Sequence, residues 1–231
     1  MIGDRIAEVR SEIRLRCEKV NRDPSEVTLI AVSKTKPLSM ILEALECGQT
    51  EFGENKVQEM CEKQAQIPER PAHWHLIGHL QSNKVKKAVS VADMIHSVDS
   101  LSLAKEIDKY AEKAGKCQDI LIEVNVAAEE SKFGVTPEEV LPLVKEIALL
   151  QNVRLRGFMT VAPYTDDAET NRPYFRRMHD LMVDINRKNI DNISVDVLSM
   201  GMSGDYGVAV EEGATHVRVG TYLFGERDYS K

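Results

Sequence analysis

Short apolar runs alternate along this chain with longer stretches whose apolar positions recur every three or four residues. The runs predict strands over 28–34, 51–54, 73–79, 94–98, 119–125, 155–161, 194–200 and 215–220. Most are apolar on both faces, the pattern of parallel strands covered by helices. The stretches between them predict helices over roughly 38–47, 55–65, 81–89, 101–114, 137–149, 171–188 and 203–212. The punctuation agrees. Pro37 and Pro137 suit first helical turns, and Gly48, Gly115 and Gly213 suit helix ends. Ahead of the first strand, Ile2, Ile6, Val9, Ile13, Cys17 and Val20 share one face of a further helix. Packing of that face on the main body is the expected use, and a dimer contact is the alternative.

Eight alternating units with no linker between them imply one α/β domain over residues 1–231, a (β/α)8 TIM barrel with an N-terminal helix over 1–22. An open doubly wound sheet is the competing architecture. It usually has fewer strands and a Gly-rich first turn. No GxGxxG follows the first strand here; Gly201, Gly204 and Gly207 are spaced by threes but come late.

Composition narrows the function. The 231 residues are 42% hydrophobic and 29% charged, ordinary for a globular protein, and the net charge of -7 argues against a general nucleic-acid or membrane-surface binder. Lys84, Lys86 and Lys87 form the one short basic cluster and read as a solvated helix face. No signal peptide or membrane-spanning run is visible. Cys17, Cys47, Cys61 and Cys117 are scattered without a CxxC, so reduced thiols and a cytoplasmic location are expected.

In such a barrel, active sites lie at the C-terminal strand ends, with phosphates often bound after strands 7 and 8. The first strand ends in Ser33-Lys34-Thr35-Lys36-Pro37. Alternation places Lys34 on the face of Thr28, Ile30 and Val32; if that face points inward, Lys34 emerges at the barrel mouth. A partly desolvated lysine can act as a Schiff-base nucleophile, and a salt bridge at the mouth is the structural alternative. Lys36 precedes a proline and belongs to the turn. Asn55 follows the second strand and could cap a helix or aim its amide into the site. Ser199 to Ser203 and Gly220-Thr221 combine small hydroxyl residues with glycine, as phosphate loops do, and a helix starting near Ser203 would add its positive end. Arg218 shares a face with His216 and Gly220, opposite Val217 and Val219, and should point inward. A buried arginine needs a partner: a structural carboxylate, or a ligand's ring nitrogen, such as that of pyridoxal 5′-phosphate (PLP). HWHLIGH resembles a metal cluster, but His73 and His79 would stand roughly 20 Å apart on a continuous strand. One zinc does not bridge that.

The segments AVSKTKP (31–37), FGEN with VQE (52–55, 57–59), HLIGHLQSNK (75–84), Lys132-Phe133-Gly134, RGFMT (156–160), SMGMSGD (199–205) and RVGTYLFGERDY (218–229) together resemble the pyridoxal phosphate homeostasis protein family, single-domain relatives of the alanine racemase barrel. The resemblance implies an alanine racemase-like (fold type III) barrel with PLP as cofactor, bound covalently as a Schiff base on Lys34. It implies that Asn55 lines the cofactor pocket, that Ser199, Gly220 and Thr221 cradle the phosphate with Ser203 as an addition, and that Arg218 faces the pyridine nitrogen. Lys36, His79, Met200, Met202 and Tyr206 are expected near the mouth without an assigned role.

An arginine does not protonate the pyridine nitrogen, so the ring is a weaker electron sink. The sequence closes soon after the eighth strand, at Asp228-Tyr229-Ser230-Lys231, so an open pocket without a second domain is expected. The resemblance therefore implies intracellular PLP homeostasis without robust catalysis. PLP would be held as an internal aldimine on Lys34 and released or handed by transimination to apo PLP-dependent enzymes, from a monomer or weak dimer. The alternatives are a weak racemase-type PLP enzyme and a PLP-free Schiff-base aldolase or phosphosugar barrel.

Overall fold

The computed structural model describes residues 1–129 and 132–226. Residues 227–229 of the last motif, and Asp228 to Lys231 of the C-terminus, lie outside them. Eight parallel strands close into a barrel in sequence order: β1 (Thr28–Val32), β2 (Glu51–Glu54), β3 (His73–Leu76), β4 (Met94–Val98), β5 (Gln118–Glu123), β6 (Val153–Met159), β7 (Val197–Met202) and β8 (His216–Val219). β8 pairs with β1, Ile30 opposite Arg218. The open-sheet alternative is thereby removed.

The helices are α1 (Ile2–Lys19), α2 (Leu38–Glu46), α3 (Val57–Gln66), α4 (Val85–Val91), α5 (Leu101–Lys113), α6 (Pro137–Ile147), α7 (Arg172–Arg187), α8 (Tyr206–Glu211) and α9 (Thr221–Phe224). The sequence pattern does not predict α9, because four residues are too short to show a helical period. Among the described residues no helix is long and apolar enough to cross a membrane.

Two cores result from strand alternation. The large one lies between sheet and helices and includes Ala31, Phe52, Trp74, Ile95, Ile122, Phe158, Leu198, Val217 and Val219. A small inner one contains Met94, Leu121, Met159 and Val197. α1 buries Ile2, Ile6, Val9, Ile13 and Cys17 in the large core, while Val20, expected on that face, is exposed beyond the helix end. Charge completes the docking: Arg16 and Lys19 reach Glu211 of α8 at 2.8 and 2.9 Å.

Differences from the predicted boundaries fall at strand and helix ends. β1 and β3 stop at Val32 and Leu76, before the Lys34 and His79 ends expected of them, because Ser33 to Lys36 turn and Gly78 packs on the backbone of Asn55. β7 runs later than expected, to Met202. α8 starts at Tyr206, not near Ser203; Asp205 stands at its N-cap position, and the Asp205 carboxylate turns back to accept the Met202 N–H at 2.6 Å. Pro37 is the N-cap of α2 and not part of its first turn, whereas Pro137 does open α6. Gly48, Gly115 and Gly213 have φ of 75°, 64° and 99° at helix ends, where a side chain would be strained.

Candidate functional site at the barrel mouth

A cavity of about 480 Å³ opens at the C-terminal strand ends. Lys34, Ser203, Arg218, Gly220 and Thr221 line it. So do Val32, Ile77, Met202, Gly204, Asp205 and the segment Pro163–Thr165, with Asn171 behind. Five of the seven site residues expected from sequence are therefore brought together. Two differ. Asn55 sits half-buried just after β2, outside the cavity lining; it is not the α3 cap, which is Lys56. Ser199 is fully buried beneath the cavity.

Ser33 to Lys36 form a tight turn, with the Lys36 N–H bonded to the Ser33 carbonyl at 3.0 Å. Thr35 adopts a φ of 63°, a left-handed conformation that a β-branched residue holds only under constraint. The turn aims the half-buried Lys34 into the cavity. Lys36 does something else. Its ammonium donates to the carbonyls of Gly225 and Glu226 at 2.9 and 2.6 Å and so ties down the segment after α9.

Arg218 forms the cavity floor, 4% exposed. Its guanidinium donates to Ser199 Oγ at 2.7 Å and to the Thr160 carbonyl at 2.8 Å, both neutral acceptors. These engage two of the five N–H donors of an arginine. Burial pushes the guanidinium down to about 10, and the attraction of Asp205 and Glu123 does not cancel that effect. The structural carboxylate partner considered from sequence is thus replaced by hydroxyl and carbonyl oxygens. A buried cation of this kind is costly unless a further acceptor reaches it.

Below Arg218 a hydrogen-bonded row runs down the barrel. Ser199 Oγ is 2.9 Å from His96 Nδ1, His96 Nε2 is 2.9 Å from His75 Nδ1, and His75 Nε2 is 2.8 Å from Glu51 Oε2. Its polarity is set at the lower end by the Glu51 carboxylate, which only accepts, so His75 Nε2 donates to it and neutral imidazoles pass that direction up the row. Ser199 accepts from Arg218 and gives its own proton to His96 Nδ1. His96, which burial holds well below the ordinary histidine value, is neutral and donates through Nε2. His75 must then accept at Nδ1 and donate through Nε2 to Glu51. Burial raises the Glu51 carboxyl, but that bond and the surrounding His75, His73 and His216 together bring it below the usual range. The histidines of the HWHLIGH motif are accordingly divided. His75 fills the barrel, His73 is exposed, and His79 stacks on Phe133 with ring centroids 4.0 Å apart and faces Asp99 at 3.5 Å.

The loops after β7 and β8 meet where the Gly220 N–H donates to Ser203 Oγ at 3.2 Å. A Cβ on Gly220 would press on Val32 at 3.3 Å, so glycine lets the two strand ends close together. Gly204 has open space where a Cβ would be. At the end of β5, Glu123 is 9% exposed, and burial with the nearby Asp99 pushes its carboxyl up to about 7, against the pull of Arg218. Sequence reasoning missed Glu123, His96 and the Pro163–Thr165 wall. The inward parity of Glu123 with Leu121 was the signal available for it.

The arrangement suits a flat, anionic heteroaromatic ligand carrying an electrophile: an amine at one side, a buried donor at the floor, and small hydroxyl and glycine residues at the rim. The family model described as "Alanine racemase, N-terminal domain" matches residues 8–228. The pyridoxal phosphate homeostasis protein of Aquifex aeolicus is 44% identical over 226 residues, 98% of both chains. PipY of Synechococcus elongatus, solved without PLP, superposes with a TM-score of 0.88 at 39% identity, covering 97% of this chain and 100% of that one. The same protein with PLP bound gives 0.85 at 38% identity over 97% and 100%.

Proposed function

We propose, from the premise that the chain belongs to the pyridoxal phosphate homeostasis protein family, built on the alanine racemase N-terminal domain, that its barrel mouth binds PLP and holds it covalently on Lys34 for later release or delivery. The observation that carries this reading is Arg218, a buried cation with donors to spare on the floor of the cavity that Lys34 also lines.

The residues present fit the cofactor. PLP supplies an aldehyde that condenses with a primary amine, losing water to give a Schiff base, and a pyridine ring whose nitrogen accepts a hydrogen bond. Lys34 provides the amine. Arg218 donates toward the ring nitrogen and keeps its own proton, which limits the electron demand the site can place on a bound amino acid. Ser203, Gly220 and Thr221 bring hydroxyls and backbone N–H groups to the phosphate. Ser199 acts one layer lower: its hydroxyl has a donor and an acceptor inside the barrel, so it orients Arg218 instead of meeting the phosphate. Asn55, just after β2, stands outside the cavity lining and is given no contact with the cofactor.

Holding and release suit this pocket better than robust turnover. Lys34 is half-buried on an open cavity, so incoming amines can reach it. The test is transfer of PLP from the loaded protein to an apo PLP-dependent enzyme. Wild type is expected to transfer and Lys34→Ala to lose that capacity; equal transfer by both overturns covalent carriage. A weak amino-acid racemase-type activity is the second reading, favoured by Glu123, whose carboxyl near neutrality is what a general acid or base needs. Deuterium exchange at the α-carbon across an amino-acid panel would reveal it.

A further inference from the structure

The two residues that flank Lys34 are both held by one helix. Lys63, 6% exposed on α3, uses all three ammonium donors: to the Ser33 carbonyl at 2.8 Å, to Glu54 Oε1 at 2.7 Å and to Glu59 Oε1 at 2.7 Å. Glu59, one turn earlier on α3, accepts the Thr35 N–H at 2.6 Å with that same oxygen. Glu54, at the end of β2 and fully buried, accepts the Ser33 hydroxyl at 2.6 Å. Backbone on the N-terminal side of Lys34 is thus pinned by Lys63, and backbone on its C-terminal side by Glu59. The Ser33 side chain is fixed by Glu54. None of these three charged residues lines the cavity.

A buried three-charge cluster is an expensive way to stabilise a turn. Charges taken out of water are recovered only with excellent geometry, and an apolar replacement is often as stable. The Glu54 Oε2 atom even remains without a hydrogen-bond partner. What the cluster does achieve is directional. It holds Thr35 at a φ of 63°, which a threonine does not adopt by preference, and that conformation turns the chain immediately after Lys34.

We propose that Glu59 and Lys63 are positioning residues for Lys34: from α3 they clamp the Ser33 carbonyl and the Thr35 N–H, and so fix the approach of the Lys34 amine to an aldehyde in the cavity. This rests on the reading of the cavity as a PLP site. Misplacement of a reacting group by about 1 Å can cost about a hundredfold in rate. The clamp therefore acts on the bond-forming step and leaves the ring and phosphate contacts intact.

The test compares two ligands on the full chain. PLP reports attachment to Lys34 through its absorbance change in stopped flow. Pyridoxine 5′-phosphate, which has an alcohol in place of the aldehyde, reports pocket affinity alone by calorimetry. In Glu59→Leu and Lys63→Met, attachment is expected to slow by about tenfold or more, with pyridoxine 5′-phosphate affinity unchanged. A smaller change in rate, or an equal loss for both ligands, overturns the proposal. Should Lys63→Met fail to fold, Glu59→Leu, at the partly exposed edge of the cluster, decides alone. Failure of the underlying PLP reading is separately visible, because wild type would then bind neither ligand.

Discussion

Arg218 donates to Ser199 Oγ across 2.7 Å, and the same oxygen lies 2.9 Å from His96 Nδ1. The floor of the cavity is therefore not an isolated cation but the top of an oriented row that ends at Glu51. Every member has one role, and removing one leaves a buried neighbour unsatisfied.

His96→Leu makes that consequence measurable. The Ser199 proton loses its acceptor and His75 loses its donor, at a cost of about 1–3 kcal/mol for each buried group left unpaired. Urea denaturation is expected to show a lower midpoint with an unchanged slope. Pyridoxine 5′-phosphate affinity should fall as well, since Arg218 is no longer held in place.

Substitution of Arg218 separates charge from shape. Arg218→Met removes a desolvated cation but also takes the donor from the Ser199 hydroxyl and the Thr160 carbonyl. The two effects oppose each other, and a small net change in stability is expected. Cofactor affinity is expected to fall by about tenfold or more, as a charged hydrogen bond contributes about 1.5–3 kcal/mol. Equilibrium dialysis with pyridoxine 5′-phosphate checks this.

Much of this arrangement was legible in the sequence. Val217 and Val219 sit in the outer core and Arg218 points inward, as two-residue alternation requires. AVSKTKP does lead Lys34 to the mouth and leaves Lys36 to the turn. What alternation does not give is partnership across the barrel. Ser199 looked like a phosphate-loop residue because its neighbours are small, yet its hydroxyl meets His96, 103 positions earlier in the chain. Lys63 carries no signal of its own in the helical pattern, because two of its three acceptors, the Ser33 carbonyl and Glu54, come from other elements of the barrel. Likewise Ser203 seemed to open a helix, but α8 begins only at Tyr206, after a turn in which the Asp205 carboxylate holds the Met202 N–H.

Glu123 gives a pH signature. Burial pushes its carboxyl up to about 7 in the folded chain, from 4.5 when unfolded. Between these values the folded state binds the extra proton, so stability falls as pH rises through that window, by on the order of 3 kcal/mol. Glu123→Gln should abolish this slope. Thermal unfolding of both proteins from about pH 4.5 to 7 is the measurement, and parallel curves would exclude Glu123 as its source.

Glu211 behaves oppositely. Burial raises its carboxyl, but bonds from Lys19, Arg16 and Arg172 prevail and hold it at about 2. Its contribution is complete above the unfolded value of 4.5 and is lost as pH falls toward about 2. Since Arg16 and Lys19 belong to α1, Glu211→Gln is expected to loosen α1 first. Hydrogen exchange should show faster exchange at Val9 and Ile13 than at the barrel strands.

The most direct measurement is borohydride reduction of the PLP-loaded protein, followed by peptide mass spectrometry. One reduced adduct is expected, on the peptide carrying Lys34 and Lys36, with fragmentation assigning it to Lys34; Lys34→Ala should carry none. An adduct on Lys36, an adduct that persists in Lys34→Ala, or none in wild type would contradict Lys34 as the residue that holds the cofactor.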